Sequence, residues 1–323
     1  MKALEKAVSK IKKNQYINEI LPFAGLILVF LFFLIMTKGR MLKPTNLANI
    51  IDQVFTTLIV SVGAIFVYAH GGFDMSVSAI SGVAQLAMAV IVTATDARIH
   101  PLLILLIGIV ICVVISMLNA IIHLQLKVPI FVVTLCTMFA CSGLLANIAQ
   151  KQIYSVPMMY LSKYNQTPVR LATLLVVVIT GWILFEKTKL GKIQKVIGGS
   201  QIVAVQSGIN VKKNILLAFV VSGVTVGIAS FFTLSRLTRV TAASGGNLQT
   251  NIMIAIVLGG MPLSGGAASR ISSVICGAAT VTLLTNGMTL MGMNAAAINA
   301  VKGILFVIII AISYKRSPDG LYT

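Results

Sequence analysis

Charged residues interrupt this chain so rarely that the intervals between them define its first elements. Uncharged stretches of about 20 residues or more separate Asp74 from Asp96, Arg98 from Lys127, Lys127 from Lys151, Lys213 from Arg236, and Arg270 from Lys302, each long enough to cross bilayer hydrocarbon. Apolar and polar positions do not alternate with period two within them. Backbone amides in lipid need internal partners, so the stretches are predicted to be helices rather than barrel strands. Applied to the whole chain, the pattern predicts ten spans, at 19–37, 46–69, 76–95, 101–124, 129–150, 167–185, 213–234, 251–264, 271–290 and 295–313. Pro22, Pro101, Pro129 and Pro168 fall near predicted helix starts, where a missing amide proton costs least, and Pro44 and Pro157 fall in predicted loops.

Composition narrows the class. With 58% hydrophobic residues and seven acidic groups in 323, a water-exposed globule is excluded. The expected fold is all-α, a polytopic transmembrane bundle of about ten spans containing broken or re-entrant helices. A formal charge of +18 in a soluble protein would point to nucleic acid, but here Lys and Arg collect at the ends of apolar runs and in clusters, so the lipid membrane is the expected partner. Cys112, Cys136, Cys141 and Cys276 lie in apolar windows without CxxC or metal spacing and read as small packing residues.

Basic clusters set the sidedness. Residues 1–18 form a basic leader, with Lys2, Lys6, Lys10, Lys12 and Lys13. A second cluster (Lys187, Lys189, Lys192, Lys195, Lys212, Lys213) follows the sixth span, and Lys315-Arg316 lie in the tail, 314–323. Ten crossings put all three on the cytoplasmic side, as the positive-inside rule requires; Lys38, Arg40 and Lys43 run against it. The chain thus divides into a first group of spans (19–185), a cytoplasmic loop (186–213) and a second group (214–313).

Three features carry candidate chemistry inside the apolar regions. His70-Gly71-Gly72-Phe73-Asp74-Met75-Ser76 sets a carboxylate and an imidazole beside paired glycines. An ionisable group costs about 2.5–3.5 kcal/mol at the centre of a span, so it has a reason to be there. A helix break capped by Asp74 or Ser76, direct solute contact, proton coupling through His70 and Asp74, and a salt bridge to another span all fit. Leu258-Gly259-Gly260-Met261-Pro262-Leu263-Ser264-Gly265-Gly266 cannot continue as a helix. It reads as a hinge or packing turn, or as pathway lining, and no Lys-Ser/Thr follows at the spacing of a phosphate loop. Asn119, Thr134, Asn147, Asn286 and Asn299 read as interhelical hydrogen-bonding groups, with Asn286 the foremost candidate to line a polar path.

Within the cytoplasmic loop, a short uncharged segment from Ser200 to Ser207 is bracketed by Gly198-Gly199 and Gly208. Ser200 is a predicted N-cap and Gly208 a predicted stop, around an apolar face of Ile202, Val203, Val205 and Ile209. A helix this short does not persist alone in water. It fits a docking helix held in a partner's groove, against the alternative of resting on lipid headgroups.

These residues resemble one family. Gly71-Gly72-Phe73-Asp74-Met75-Ser76-Val77 is similar to the GGIDLSV signature of ribose-type sugar permeases of ATP-binding-cassette importers. Leu190-Gly191-Lys192, Gly198-Gly199-Ser200, Ala204 and Ser207-Gly208-Ile209-Asn210-Val211 resemble the family's loop segment. Leu258-Gly259-Gly260, Ser264-Gly265-Gly266, Thr285-Asn286-Gly287-Met288 and Val301-Lys302-Gly303 follow in the family's order. The chain departs at Ser200 and Val205, where relatives usually carry Asn and a charged residue, at Ser78-Ala79 after the signature, and at Met261-Pro262.

The resemblance implies a permease subunit of the bacterial cytoplasmic membrane, with both termini cytoplasmic. It would dimerise, receive a simple sugar from an extracytoplasmic binding protein and be driven by a separate ATPase that carries ATP and Mg. It would bind no cofactor and have no catalytic residue of its own. Gly198, Gly199, Ser200, Ala204, Ser207 and Gly208 would form its coupling helix, and the solute path would lie at the dimer interface. Gly71, Gly72, Asp74, Ser76, Gly259, Gly260, Gly265, Gly266 and Asn286 are the helix-break or pathway candidates. A permease for another polar solute, such as a nucleoside or amino acid, and an ion- or proton-coupled carrier are the alternatives. An intramembrane enzyme lacks paired carboxylates, a nucleophile–base pair and metal spacing.

Overall fold

The computed structural model describes residues 22–262 and 265–313. The leader 1–18, the tail 314–323, the first residues of the first expected span, and Leu263 and Ser264 of the glycine-rich stretch lie outside the described residues. The helices are α1 (Pro22–Met36), α2 (Pro44–Ala69), α3 (Val77–Ala94), α4 (Pro101–Leu126), α5 (Ile130–Lys151), the single turn α6 (Met158–Leu161) and α7 (Thr167–Trp182). After a π turn at Ile183–Lys187 come α8 (Lys189–Gly199), α9 (Gln201–Gln206), α10 (Val211–Leu237), α11 (Leu248–Leu258), α12 (Ile271–Leu290) and α13 (Ala295–Ser313). Seven of these, α2 to α5, α7 with its π turn, α10 and α12, are long and apolar enough to cross a membrane. The described apolar parts of α1, α11 and α13 are shorter.

In lipid, helices gain little from hydrophobic burial against each other, so close packing and polar links decide which of them touch. α2, α3, α10 and α12 form the buried centre, and α4, α5 and α7 surround it. Leu102, Leu106, Val110, Val114 and Leu118, every fourth residue of α4, face outward. The opposite face of α4 meets Gly223 and Gly227 of α10, where an added Cβ would lie 2.7 Å from Val113 Cα and 2.5 Å from Ile109 Cα. That spacing lets two backbones approach as side chains would not permit. Gly277 of α12 does the same against the Ala255 carbonyl of α11, at 1.7 Å from an added Cβ.

Two expected boundaries move for identifiable reasons. Pro44 is the first residue of α2 rather than part of a loop, as fits a residue with no amide proton to lose. α11 is offset from the expected 251–264: it begins at Leu248 and stops at Leu258, because the chain turns through Gly259 and Gly260, the latter at φ +78°. The preceding loop carries Gly245 and Gly246, at φ +89° and +48°. Strands β1 (Tyr154–Ser155) and β2 (Arg239–Val240) pair antiparallel and tie the loop after α5 to the end of α10. α10 begins just after α9, and its 27 residues rise about 40 Å. The strand pair therefore marks the end of the bundle opposite α8 and α9.

Candidate functional site

α2 ends at Ala69 because Gly71, at φ +86°, reverses the chain, with Gly71 and Gly72 amides donating back to the Tyr68 and Val67 carbonyls. Residues 72–76 then run without regular structure beside α5. Thr134 Oγ1 accepts the Met75 amide at 3.1 Å and lies 3.1 Å from the Phe73 carbonyl, satisfying backbone groups that a helix would have paired. Asp74 Oδ1 accepts the Ser76 amide at 2.9 Å and the Ser76 hydroxyl at 2.5 Å. Asn119 of α4 donates to Ser76 Oγ at 2.9 Å, and Thr137 of α5 donates to Asn119 Oδ1 at 2.6 Å. Asp74 and Ser76 thus close a local turn just ahead of α3, and no side chain caps the first amides of that helix. His70 faces elsewhere: its Nδ1 lies 3.1 Å from the Phe66 carbonyl and 3.0 Å from Gln194 Oε1.

Gln194 belongs to α8, which the sequence pattern did not isolate because Gly191, Gly198 and Gly199 dilute its helical signal. Thr188 caps it through the Leu190 amide at 3.2 Å. Gly191 lets it fold back onto the π turn, where an added Cβ would lie 2.0 Å from the Phe185 carbonyl, and Phe185 itself packs edge-on against Phe66 of α2. Gln194 is fully buried, and its Nε2 donates to the Asn214 carbonyl of α10 at 2.7 Å. One side-chain amide thus joins α8 to both α2 and α10. Glu186 adds a further link: it accepts from Lys195 Nζ at 2.7 Å and from the Ile271 amide at the start of α12 at 3.2 Å.

The glycine motifs converge on the same spot. The Gly266 amide donates to the Ala69 carbonyl at 2.8 Å. An added Cβ at Gly198 would lie 2.0 Å from that carbonyl, and one at Gly265 2.5 Å from it. The end of α2, the end of α8 and the turn after α11 therefore share one contact point that only glycine fits. Gly259 packs on the Ser273 carbonyl of α12, whereas Gly260 forms the turn. Beyond the junction, Ser200 caps α9 through the Val203 amide at 3.3 Å. Ala204 is buried, and Gly208, at φ +73°, ends the helix after Ser207. Gly199 and Gly208 have open space around them. Ile202, Val203 and Val205 stand exposed on α9.

At the opposite end of the bundle lies a half-open cavity of ≈ 430 Å³. Gln53, Thr56 and Thr57 of α2, Ser81 and Gln85 of α3, Thr233, Arg236 and Leu237 of α10, Arg239 of β2, Leu248 and Asn251 of α11, and Thr282 and Thr285 of α12 line it, with Thr241, Ala243, Ser244, Gly245 and Gly246 of the loop between β2 and α11. Sequence reasoning missed this site. Its signal was the recurrence of small polar residues at helical spacing, 53/56/57, 81/85 and 282/285. Asn286 is not in the wall: it exchanges two 3.0 Å hydrogen bonds with Asn46 of α2. Asn299 accepts from Asn247 at 3.1 Å. Gly71, Gly72, Asp74, Ser76 and the glycines of 259–266 also lie outside the wall.

No solved structure gives a significant match to the chain. The ribose import permease protein of Bacillus subtilis is 29% identical over 304 residues, covering 92% of each chain. The galactose/methyl galactoside import permease protein of Escherichia coli is 27% identical over 308 residues, covering 88% of this chain and 91% of the relative. The xylose transport system permease protein of Escherichia coli is 24% identical over 366 residues, covering 92% and 91%. Residues 46–310, from the start of α2 into α13, match the family described as the branched-chain amino acid transport system permease component, and the chain is a multi-pass membrane protein belonging to that family.

Proposed function

We propose that the chain is the membrane-spanning permease subunit of an ATP-driven importer for a ribose-like monosaccharide, without catalysis of its own. The import and transport permeases it is similar to along nearly their whole lengths carry ribose, galactose and xylose in their names, which supports a simple sugar as cargo. The observation that carries the coupling is the junction at Ala69. α9 offers an exposed apolar face to a partner, and α8, joined to it through the one extended residue Ser200, is held by Gln194 and Gly198 to the end of α2. Displacement of α9 by a closing ATPase passes through α8 to the unwound segment 71–76 and so to α3, whose Ser81 and Gln85 stand in the cavity wall.

In this mechanism the ATP and Mg belong to the partner ATPase. The six lysines of the loop 186–213 face the cytoplasm of a bacterial inner membrane, with both termini on that side. An extracytoplasmic sugar-binding protein delivers at the cavity end, and a second copy of the chain completes the translocating unit. Because Ala204 is buried and Val203 exposed, the test belongs at Val203. Val203→Glu is expected to abolish ATP-driven sugar uptake and co-purification of the ATPase while membrane insertion stays normal. Unchanged uptake sinks the coupling assignment.

A further inference from the structure

After β2 the chain turns back into the bundle instead of passing over its end. Ser244 and Gly245 lie against the first two turns of α3: an added Cβ at Gly245 would stand 2.0 Å from the Ser78 carbonyl, and one at Gly82 2.5 Å from the Ser244 carbonyl. Gln249, in the first turn of α11, reaches the sulfur of Met75 in the unwound segment. Irregular backbone inside a membrane bundle needs its polar groups satisfied, and the loop meets that need from within. The Ser244, Gly246 and Leu248 amides donate to the Thr241, Ala243 and Gly245 carbonyls at 2.9, 2.9 and 3.3 Å, and the Thr241 amide donates to Ser244 Oγ at 2.9 Å.

Among the described residues no hydrogen bond joins the loop 241–247 to α3, so the seam between them is van der Waals contact that glycine alone permits. Such a contact opens by sliding, with no bond to break. The loop side of the seam is anchored. β2 pairs with β1 at one end, and at the other Asn247 donates to Asn299 at 3.1 Å and Asn251 accepts from Lys302 Nζ at 2.8 Å, so α13 holds the start of α11 twice. Lys302 is buried, and an ammonium makes a stronger hydrogen bond than a neutral donor. α3 is the side that the junction at Ala69 addresses, because it follows directly from the unwound segment 71–76. Ser81 and Gln85 of α3 and Ser244, Gly245 and Gly246 of the loop all line the half-open cavity. The seam therefore starts in the cavity wall and ends at the Met75 contact, on the way to that junction.

We infer that the seam between α3 and the loop 241–247 is the inner gate of the permease, closed in this structure and opened when α3 slides off Gly245. The inference rests on the importer assignment above and names the contact that yields in it. In a chain whose four cysteines are replaced, Ser78→Cys and Ser244→Cys place one thiol on each side of the seam, for linking by a bis-methanethiosulfonate that dithiothreitol reverses. In the complete importer this link is expected to lower ATP-driven uptake of ribose and galactose at least about tenfold until dithiothreitol is added, whereas a link across the strand pair, Tyr154→Cys with Val240→Cys, is expected to leave it within about twofold. Gly82→Ala sets a methyl against the Ser244 carbonyl and props the seam apart. In vesicles holding the chain alone, without ATPase or nucleotide, Gly82→Ala is expected to release entrapped ribose about tenfold faster than the parent.

Uptake that survives the link across the seam, or efflux through Gly82→Ala no faster than through the parent, overturns the gate. Should Gly82→Ala fail to fold, the link decides alone. The efflux measurement needs no partner protein, which keeps the two assignments apart. An importer that takes up neither sugar while the Gly82→Ala vesicles leak removes the importer assignment only. Uptake that continues with the seam linked removes the gate only.

Discussion

At the residue scale, the two neighbouring glycines of the loop separate by environment rather than by sequence. An added Cβ at Gly198 would strike the Ala69 carbonyl at 2.0 Å, whereas Gly199 has nothing within 4 Å. Gly198→Ala is therefore expected to force α8 away from α2 and to lower stability by about 1–3 kcal/mol. Gly199→Ala is expected to change it by less than about 0.5 kcal/mol. Thermal denaturation of the two purified variants side by side checks the contrast, and equal melting temperatures would refute the junction. The sequence marked both glycines as brackets of a short helix and could not tell them apart. What distinguishes them is a carbonyl more than a hundred positions away, and no local pattern encodes that distance.

At the element scale, α8 is the joint between the short helices at one end of the bundle and the spans. Gln194 bonds His70, just past the end of α2, and the Asn214 carbonyl of α10, so its amide ties α8 to the ends of two other helices. Gln194→Met and His70→Phe, singly and together, form a cycle in which about 1 kcal/mol of interaction is expected between the pair. Additive losses in a denaturation series would show that the contact carries no coupling. Elements differed in how legible they were. Spans bounded by charge were readable because charge is excluded from hydrocarbon, and α9 was readable through Ser200 and Gly208. α8 was less so, since glycines that permit close packing also erase helical periodicity, whereas the break at the end of α11 was readable from Gly259-Gly260 even though the span was drawn on to 264.

At the scale of the whole molecule, the two ends of the bundle are joined by one chain of contacts, from α9 through α8 and Ala69 to the unwound segment, α3 and the cavity wall. In the complete importer, built with a chain whose four cysteines are replaced and that carries Thr56→Cys on the cavity wall, trapping the ATPase with a non-hydrolysable ATP analogue is expected to slow thiol labelling about fivefold as the cavity closes, from a population shift of about 1 kcal/mol. With Val203→Glu added the analogue should leave the rate unchanged; slowing there would break the proposed route. The fold class, the lysine-rich loop after α7 and the two glycine motifs were legible because each has a local chemical cause. The cavity was not, because its polar residues come one to three per helix and each group alone resembles an ordinary interhelical hydrogen bond.

The reciprocal amide pair between Asn46 and Asn286 joins positions 240 residues apart, which gives it a meaning during biosynthesis. At about 5–20 residues per second, the ribosome needs on the order of 10–50 s after making Asn46 before its partner exists. Throughout that interval Asn46, near the start of α2, has the Met41 carbonyl as acceptor but not its reciprocal partner. A chain truncated before Asn286 lacks that partner altogether. Closing the Asn46–Asn286 pair is therefore a late step of assembly, and it separates a finished protein from a nascent one.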